Sequence, residues 1–110
     1  MAVTEEGESS PVYRINKFAV PAAGREEFVG LLEQTHAVMR AQRRFVRDVI
    51  VEQESDGGES SFVALIELAG TDAVERITAA IAERDRASGL DRKEFASRLG
   101  IRFTAWILAA

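Results

Sequence analysis

The 110-residue sequence has no cysteine, one histidine (His36), two prolines and only two lysines (Lys17 and Lys93). Without cysteine there is no disulfide, no thiol nucleophile and no iron–sulfur ligation. One histidine without cysteine also leaves too few ligands for a structural zinc site. Glu33 and His36 form E-x-x-H, the spacing used by di-iron bundles, but those sites need a second copy and there is no second histidine. No apolar run approaches the roughly 20 residues of a membrane span. Basic charge is not in excess: 18 acidic residues against 14 basic ones give a net charge of −4, which argues against a general nucleic-acid binder. A phosphate-binding loop is absent, and nothing resembles a serine or cysteine triad. Residues 1–10 (MAVTEEGESS) hold three Glu and no basic residue, unlike a secretory signal or transit peptide, and are expected to be a disordered lead-in. The expectation is one domain over 11–110, in a cytoplasmic protein without metal or membrane.

What remains is patterned. Val12–Val20 (VYRINKFAV) is rich in β-branched and aromatic residues, ends at Pro21 and reads as a strand. From Ala22 the period changes: Phe28, Leu31, Leu32, Thr35, Met39 and Gln42 recur at helical spacing to about Ala41. Phe45–Glu54 and Ser61–Ala69 read as strands of a hairpin around Ser55-Asp56-Gly57-Gly58. Thr71 is the expected N-cap of a second helix with the stripe Val74, Ile77, Ile81 and Asp85, closed by Gly89. Asp91 and Glu94 have capping-box spacing, so a short third helix is expected up to Leu99 and Gly100. Ile101–Leu108 is the last strand. The order β-α-β-β-α-β, with a helical turn before the last strand, is the ferredoxin-like α+β arrangement: a four-stranded antiparallel sheet with helices on one face.

Two helices cover one sheet face, yet both faces carry apolar residues. Phe62, Ala64, Ile66 and Leu68 alternate with Val63 and Leu65; Phe103 and Ile107 alternate with Trp106 and Leu108. In the second strand, simple alternation sets Phe45, Arg47, Val49 and Val51 against Val46 and Ile50. A bare apolar face of several hundred Å² is rarely tolerated by a soluble monomer. A two-fold homodimer would cover it, and about 600 Å² of buried apolar surface is worth roughly 15 kcal/mol before association costs.

Several residues could carry chemistry. His36 is the one side chain that ordinarily titrates near neutrality; it lies about 80° from the centre of the helix stripe, so it is either a proton-transfer group or a boundary histidine. Asp85 stands where the stripe calls for a hydrophobic residue, so it finds a donor, raises its pKa or lies in water beyond the core. Arg14 and Asn16 share a face with Val12, Phe18 and Val20, and polar groups there are costly unless paired. Those two and Arg47 either line a cavity or form dimer-interface ion pairs with Asp48, Glu52 or Glu67. Trp106 and Tyr13 either wall an aromatic pocket or belong to the core. Arg40, Arg43 and Arg44 complement the helix C-terminus as solvated cations.

Three stretches carry a resemblance: Lys17-Phe18-Ala19-Val20-Pro21 followed by Arg25-Glu26-Glu27-Phe28; Gln34-Thr35-His36 leading into Gln42-Arg43-Arg44-Phe45-Val46-Arg47-Asp48; and Ser88-Gly89-Leu90-Asp91 leading into Arg98-Leu99-Gly100-Ile101. Over about residues 12–108 the sequence resembles the antibiotic biosynthesis monooxygenase family of dimeric α/β barrels. The resemblance implies oxidation of a small aromatic, polyketide- or quinol-like substrate by molecular oxygen, with no metal, flavin or haem. In that reading His36 is the base, Asn16 and Asp85 complete the catalytic group, and Arg47, Trp106 and Tyr13 bind substrate. Haem-degrading relatives use a His on the second helix, which here has none. Two alternatives stay open: a polyketide cyclase or isomerase working by acid–base chemistry, and a non-catalytic small-molecule-binding dimer. A further possibility is a dimer whose pocket is filled by side chains, and the size of the cavity discriminates: Phe28, Phe62, Phe103 and Met39 could plug it.

Overall fold

The computed structural model describes residues 10–55 and 57–109, so the expected lead-in, apart from Ser10, lies outside the described residues, as does Asp56 of the hairpin turn. β1 (Val12–Val20) leads through a short 3₁₀ turn, Ala22–Gly24, into α1 (Arg25–Arg40). β2 (Phe45–Glu54) and β3 (Ser60–Leu68) form the hairpin. α2 (Asp72–Ser88), α3 (Arg92–Leu99) and β4 (Arg102–Ala109) follow. The sheet is antiparallel throughout in the order β2-β3-β1-β4, the ferredoxin-like topology expected. No helix of the described residues is long and apolar enough to cross a membrane.

The ends of α2 and α3 follow local chemistry with one exception. Asp91 accepts hydrogen bonds from the backbone N–H groups of Lys93 and Glu94 and so caps α3. Gly89 and Gly100 end α2 and α3 at φ of 71° and 73°, a conformation that costs a β-carbon. Thr71, expected to cap α2, does not: its backbone is already helical and its side chain accepts no capping bond. A hydroxyl caps only from an extended backbone, which Thr71 lacks.

Even-numbered residues of β1 and β3 face the helices. Near one end of β1, Val12, Ile66 and Leu68 pack against Met39 of α1 and Ala73 and Ile77 of α2. Near the other, Val20 and Phe62 pack against Phe28 and Leu32, and the rings of Phe18, Phe28, Phe62 and Phe103 form a chain with centroids 4.9–5.0 Å apart. Between the two clusters the helix-facing positions of β1 are Arg14, Asn16 and Phe18.

Alternation fails in β2, and this corrects the sequence reading. Phe45 pairs with Leu68 and Arg47 with Glu67, so two residues of β2 span one step of β3. This bulge reverses the phase of everything after it. Phe45 stays against the core, whereas Arg47 turns to the outer face and Asp48 turns inward. No helix of the described residues covers the outer face. Across its middle, Val49, Leu65, Ile15 and Trp106 stand in register on four adjacent strands, and Val51, Leu108 and Trp106 are about half exposed.

Candidate functional site

A cavity of about 690 Å³ lies between α1, α2, α3 and the helix-facing side of the sheet. That is within the roughly 300–1,000 Å³ of small-molecule sites. Its walls are mainly apolar: Phe28, Leu31, Leu32, Met39, Ile81 and Phe103 among them. Phe28, Met39 and Phe103 therefore wall the space without filling it, and Phe62 packs behind Phe28. The lining residues Thr78, Lys93 and Ser97 are exposed, so the cavity reaches the surface between α2 and α3.

His36 lines this cavity and is 1% exposed, so it is no boundary residue. Its Nδ1 lies 2.7 Å from Oδ2 of Asp48, which the bulge has turned toward it. Asp48 also accepts from Arg40 Nε at 3.2 Å and Nη2 at 2.9 Å. Burial pulls the Asp48 pKa up, but the hydrogen bonds and charges of Arg40 and His36 outweigh it and hold the group below the ordinary carboxylate value. A carboxylate can only accept, so His36 donates from Nδ1 and its Nε2 carries the lone pair. Burial also pushes the His36 pKa below its ordinary 6.5, against the opposing pull of Asp48. The imidazole is therefore a neutral, oriented base at neutral pH.

Asn16, 6% exposed, is the second polar group of the wall. Arg14 Nε donates to its Oδ1 at 2.9 Å, which fixes the amide and leaves Nδ2 as a donor. On the α3 side, Arg92 lines the cavity and donates to Thr35 Oγ1 at 2.9 Å. Asp85 holds Arg92 through two bonds of 2.6 and 3.0 Å. Asp85 has thus found a donor in place of lying open to water; it does not itself line the cavity and acts on it through Arg92.

No protein-family model matches the sequence, and no curated protein matches it. Among solved structures, SnoaB from Streptomyces nogalater, a cofactor-independent oxygenase, is similar in a mutant form at 26% identity, over 91% of this chain and 92% of that one, with a TM-score of 0.66. The chain is similar in fold and sequence to a cofactor-independent oxygenase. A second SnoaB structure gives 24% identity, 92% and 93% coverage and a TM-score of 0.67. A dimeric ferredoxin-like protein from an uncultured marine organism is 17% identical over 92% of this chain and 95% of that one, TM-score 0.63, a likeness of fold alone. Together these neighbours agree on the ferredoxin-like fold.

Of the six residues singled out from sequence, the structure brings His36 and Asn16 into the cavity and sets Asp85 behind Arg92. The other three are elsewhere. Arg47, Trp106 and Tyr13 stand on the outer face: Tyr13 is in register with Glu67 and Leu108, and Arg47 Nε donates to Glu67 Oε1 at 2.8 Å. Side chains alternate along a strand, so residues on that face do not share a wall with His36. The basic cluster is also not merely solvated, since Arg40 pairs with Asp48, Arg44 with Asp72 and Arg47 with Glu67. Sequence reasoning missed Asp48 as the partner of His36. The available signal was that Phe45 and Ile50, both apolar, differ in parity along one strand.

Proposed function

We propose that this chain, with its domain over residues 11–110, is a cytoplasmic homodimeric monooxygenase that oxidises a small aromatic, polyketide- or quinol-like substrate with molecular oxygen and no bound cofactor. The observation that carries the reading is the buried His36–Asp48 dyad, whose histidine lines an apolar cavity of about 690 Å³. The 26% identity with an oxygenase over nine-tenths of both chains supports it.

The chemistry needs little more than these groups. Ground-state oxygen is a triplet and reacts slowly with closed-shell molecules, but an electron-rich carbanion or phenolate passes it one electron. His36 Nε2 takes a proton from an activated CH₂ or its enol form, and Asn16 Nδ2 donates to the oxyanion that develops. Electron transfer gives a substrate radical and superoxide, which combine to a peroxide anion. The imidazolium returns its proton, and loss of water leaves a carbonyl. One oxygen atom enters product and the other leaves as water, so CH₂ plus O₂ gives C=O plus H₂O with no external reductant. The apolar walls keep the carbanion from bulk water.

The outer face has a separate role in this reading. The row Val49, Leu65, Ile15 and Trp106 meets the same row of a second copy, and Tyr13 and Arg47 lie in that interface. An oxygen electrode with hydroxylated anthrones tests the activity: uptake is expected with the wild type and its loss in His36→Gln. No uptake from any of several anthrones overturns the oxygenase reading, and substrate conversion without uptake points to an acid–base isomerase.

A further inference from the structure

Among the described residues, three carboxylates on the inner side of the sheet or beside the cavity are already held by arginines. Asp48 is held by Arg40 and His36, Asp85 by Arg92, and Glu52 by Arg25 and Ser60. Glu67 lies on the other face with Arg47. Arg14 is held by none of them. It is half-buried on β1 between Ile66 and Ile107, lines the cavity, and among the described residues makes no ion pair. Its Nε is used on Asn16, which is neutral, and no carboxylate of the described residues pairs with its charge. Burial pulls its pKa down, with no carboxylate to offset the effect. A desolvated cation in an apolar wall is costly unless an anion joins it.

We propose that Arg14, with Asn16 at its side, is an anion-binding subsite of this cavity, and that the ligand is an apolar ring system entering with an oxyanion already attached. A guanidinium presents a planar fork of donors, and a carboxylate or an ionised phenol supplies the acceptor it lacks. Asn16, tied to Arg14, places its Nδ2 beside the same charge. The subsite deepens the oxygenase reading: an anion anchored on Arg14 is an electron-rich ring held in the cavity that His36 borders. Only that role in turnover rests on the proposed activity; binding itself does not.

The test is therefore a binding measurement that needs no oxygen. Isothermal titration of the full chain with 2-naphthoate and its neutral counterpart 2-naphthamide compares one shape with and without charge. The wild type is expected to bind the carboxylate at least about ten-fold more tightly. Arg14→Gln removes the preference, and Arg14→Lys keeps part of it. Spectrophotometry with 4-nitrophenol examines the phenolate source: the wild type shifts the bound dye toward its coloured anion, and Arg14→Gln does not. Equal affinity for acid and amide in the wild type, together with no shift of the dye, overturns the proposal, and this comparison needs no variant to fold. An unchanged preference in Arg14→Gln overturns the assignment to Arg14. Selective binding without oxygen uptake leaves the subsite standing and removes the oxygenase, whereas oxygen uptake without charge selectivity does the reverse.

Discussion

Replacing Asp48 by Asn changes the dyad by one charge and almost no volume. The carboxylate takes one bond from His36 and two from Arg40; an amide offers one accepting oxygen in place of two and no charge, so it no longer holds the imidazole in one tautomer. Positioned acid–base groups contribute about 10²–10⁴-fold to a rate. Asp48 acts through His36 and does not line the cavity, so kcat is expected to fall on the order of 10²-fold while KM changes little. The pH profile gives a second readout that a purely structural role would not move. Burial, the main influence on His36, lowers its pKa from 6.5, and Asp48 opposes that shift. The acid limb of the wild type therefore lies below pH 6.5, and in Asp48→Asn it moves lower still. Loss of the charge-assisted bonds also costs about 1–3 kcal/mol by urea unfolding. Oxygen-electrode rates across the acid range decide it. Full kcat with an unmoved limb in Asp48→Asn refutes the oriented-base reasoning.

Stability should follow the same groups. Because the folded protein disfavours the His36 cation, the unfolded chain binds more protons near pH 6.5, so stability is full above that pH and declines as pH falls through it; His36→Gln flattens this slope in thermal melts. Further acidification removes the contributions of depressed carboxylates: Glu52, drawn down to about 2 mainly by Arg25, and Glu27, lowered by Arg98, add stability above their ordinary 4.5 that is lost as pH falls below it. Both pairs are exposed, so molar salt shrinks this acid effect. Trp106→Glu puts a charge in the outer apolar row and is expected to give a folded monomer by sedimentation; a persistent dimer refutes the proposed interface. Gly24→Ala brings a β-carbon to 3.1 Å from Leu99 Cβ and is expected to cost about 1–3 kcal/mol in urea unfolding by pushing α1 from the end of α3.

The element order was legible because it rests on local chemistry. The change from period 2 to period 3.6 after Pro21, the Asp91 cap and the glycines at 89 and 100 act within a few residues of themselves, so the linear order of side chains contains the information. The apolar residues on both sides of the strands likewise needed no partner to be counted. The site was legible only in part: His36 and Asn16 could be named, but not what holds them. Asp48 faces His36 only because β2 and β3 slip by one residue between Phe45 and Arg47, and a register exists only once two strands have paired. The same slip sends Arg47 to the outer face, away from the cavity it was expected to line. Among the described residues Arg14 has no counter-ion because carboxylates distant in sequence are taken by other arginines, and no local pattern records that allocation. Sequence alone settled which elements form and which groups could do chemistry; the tertiary structure decided which of them meet, because phase, register and charge pairing are relations between segments.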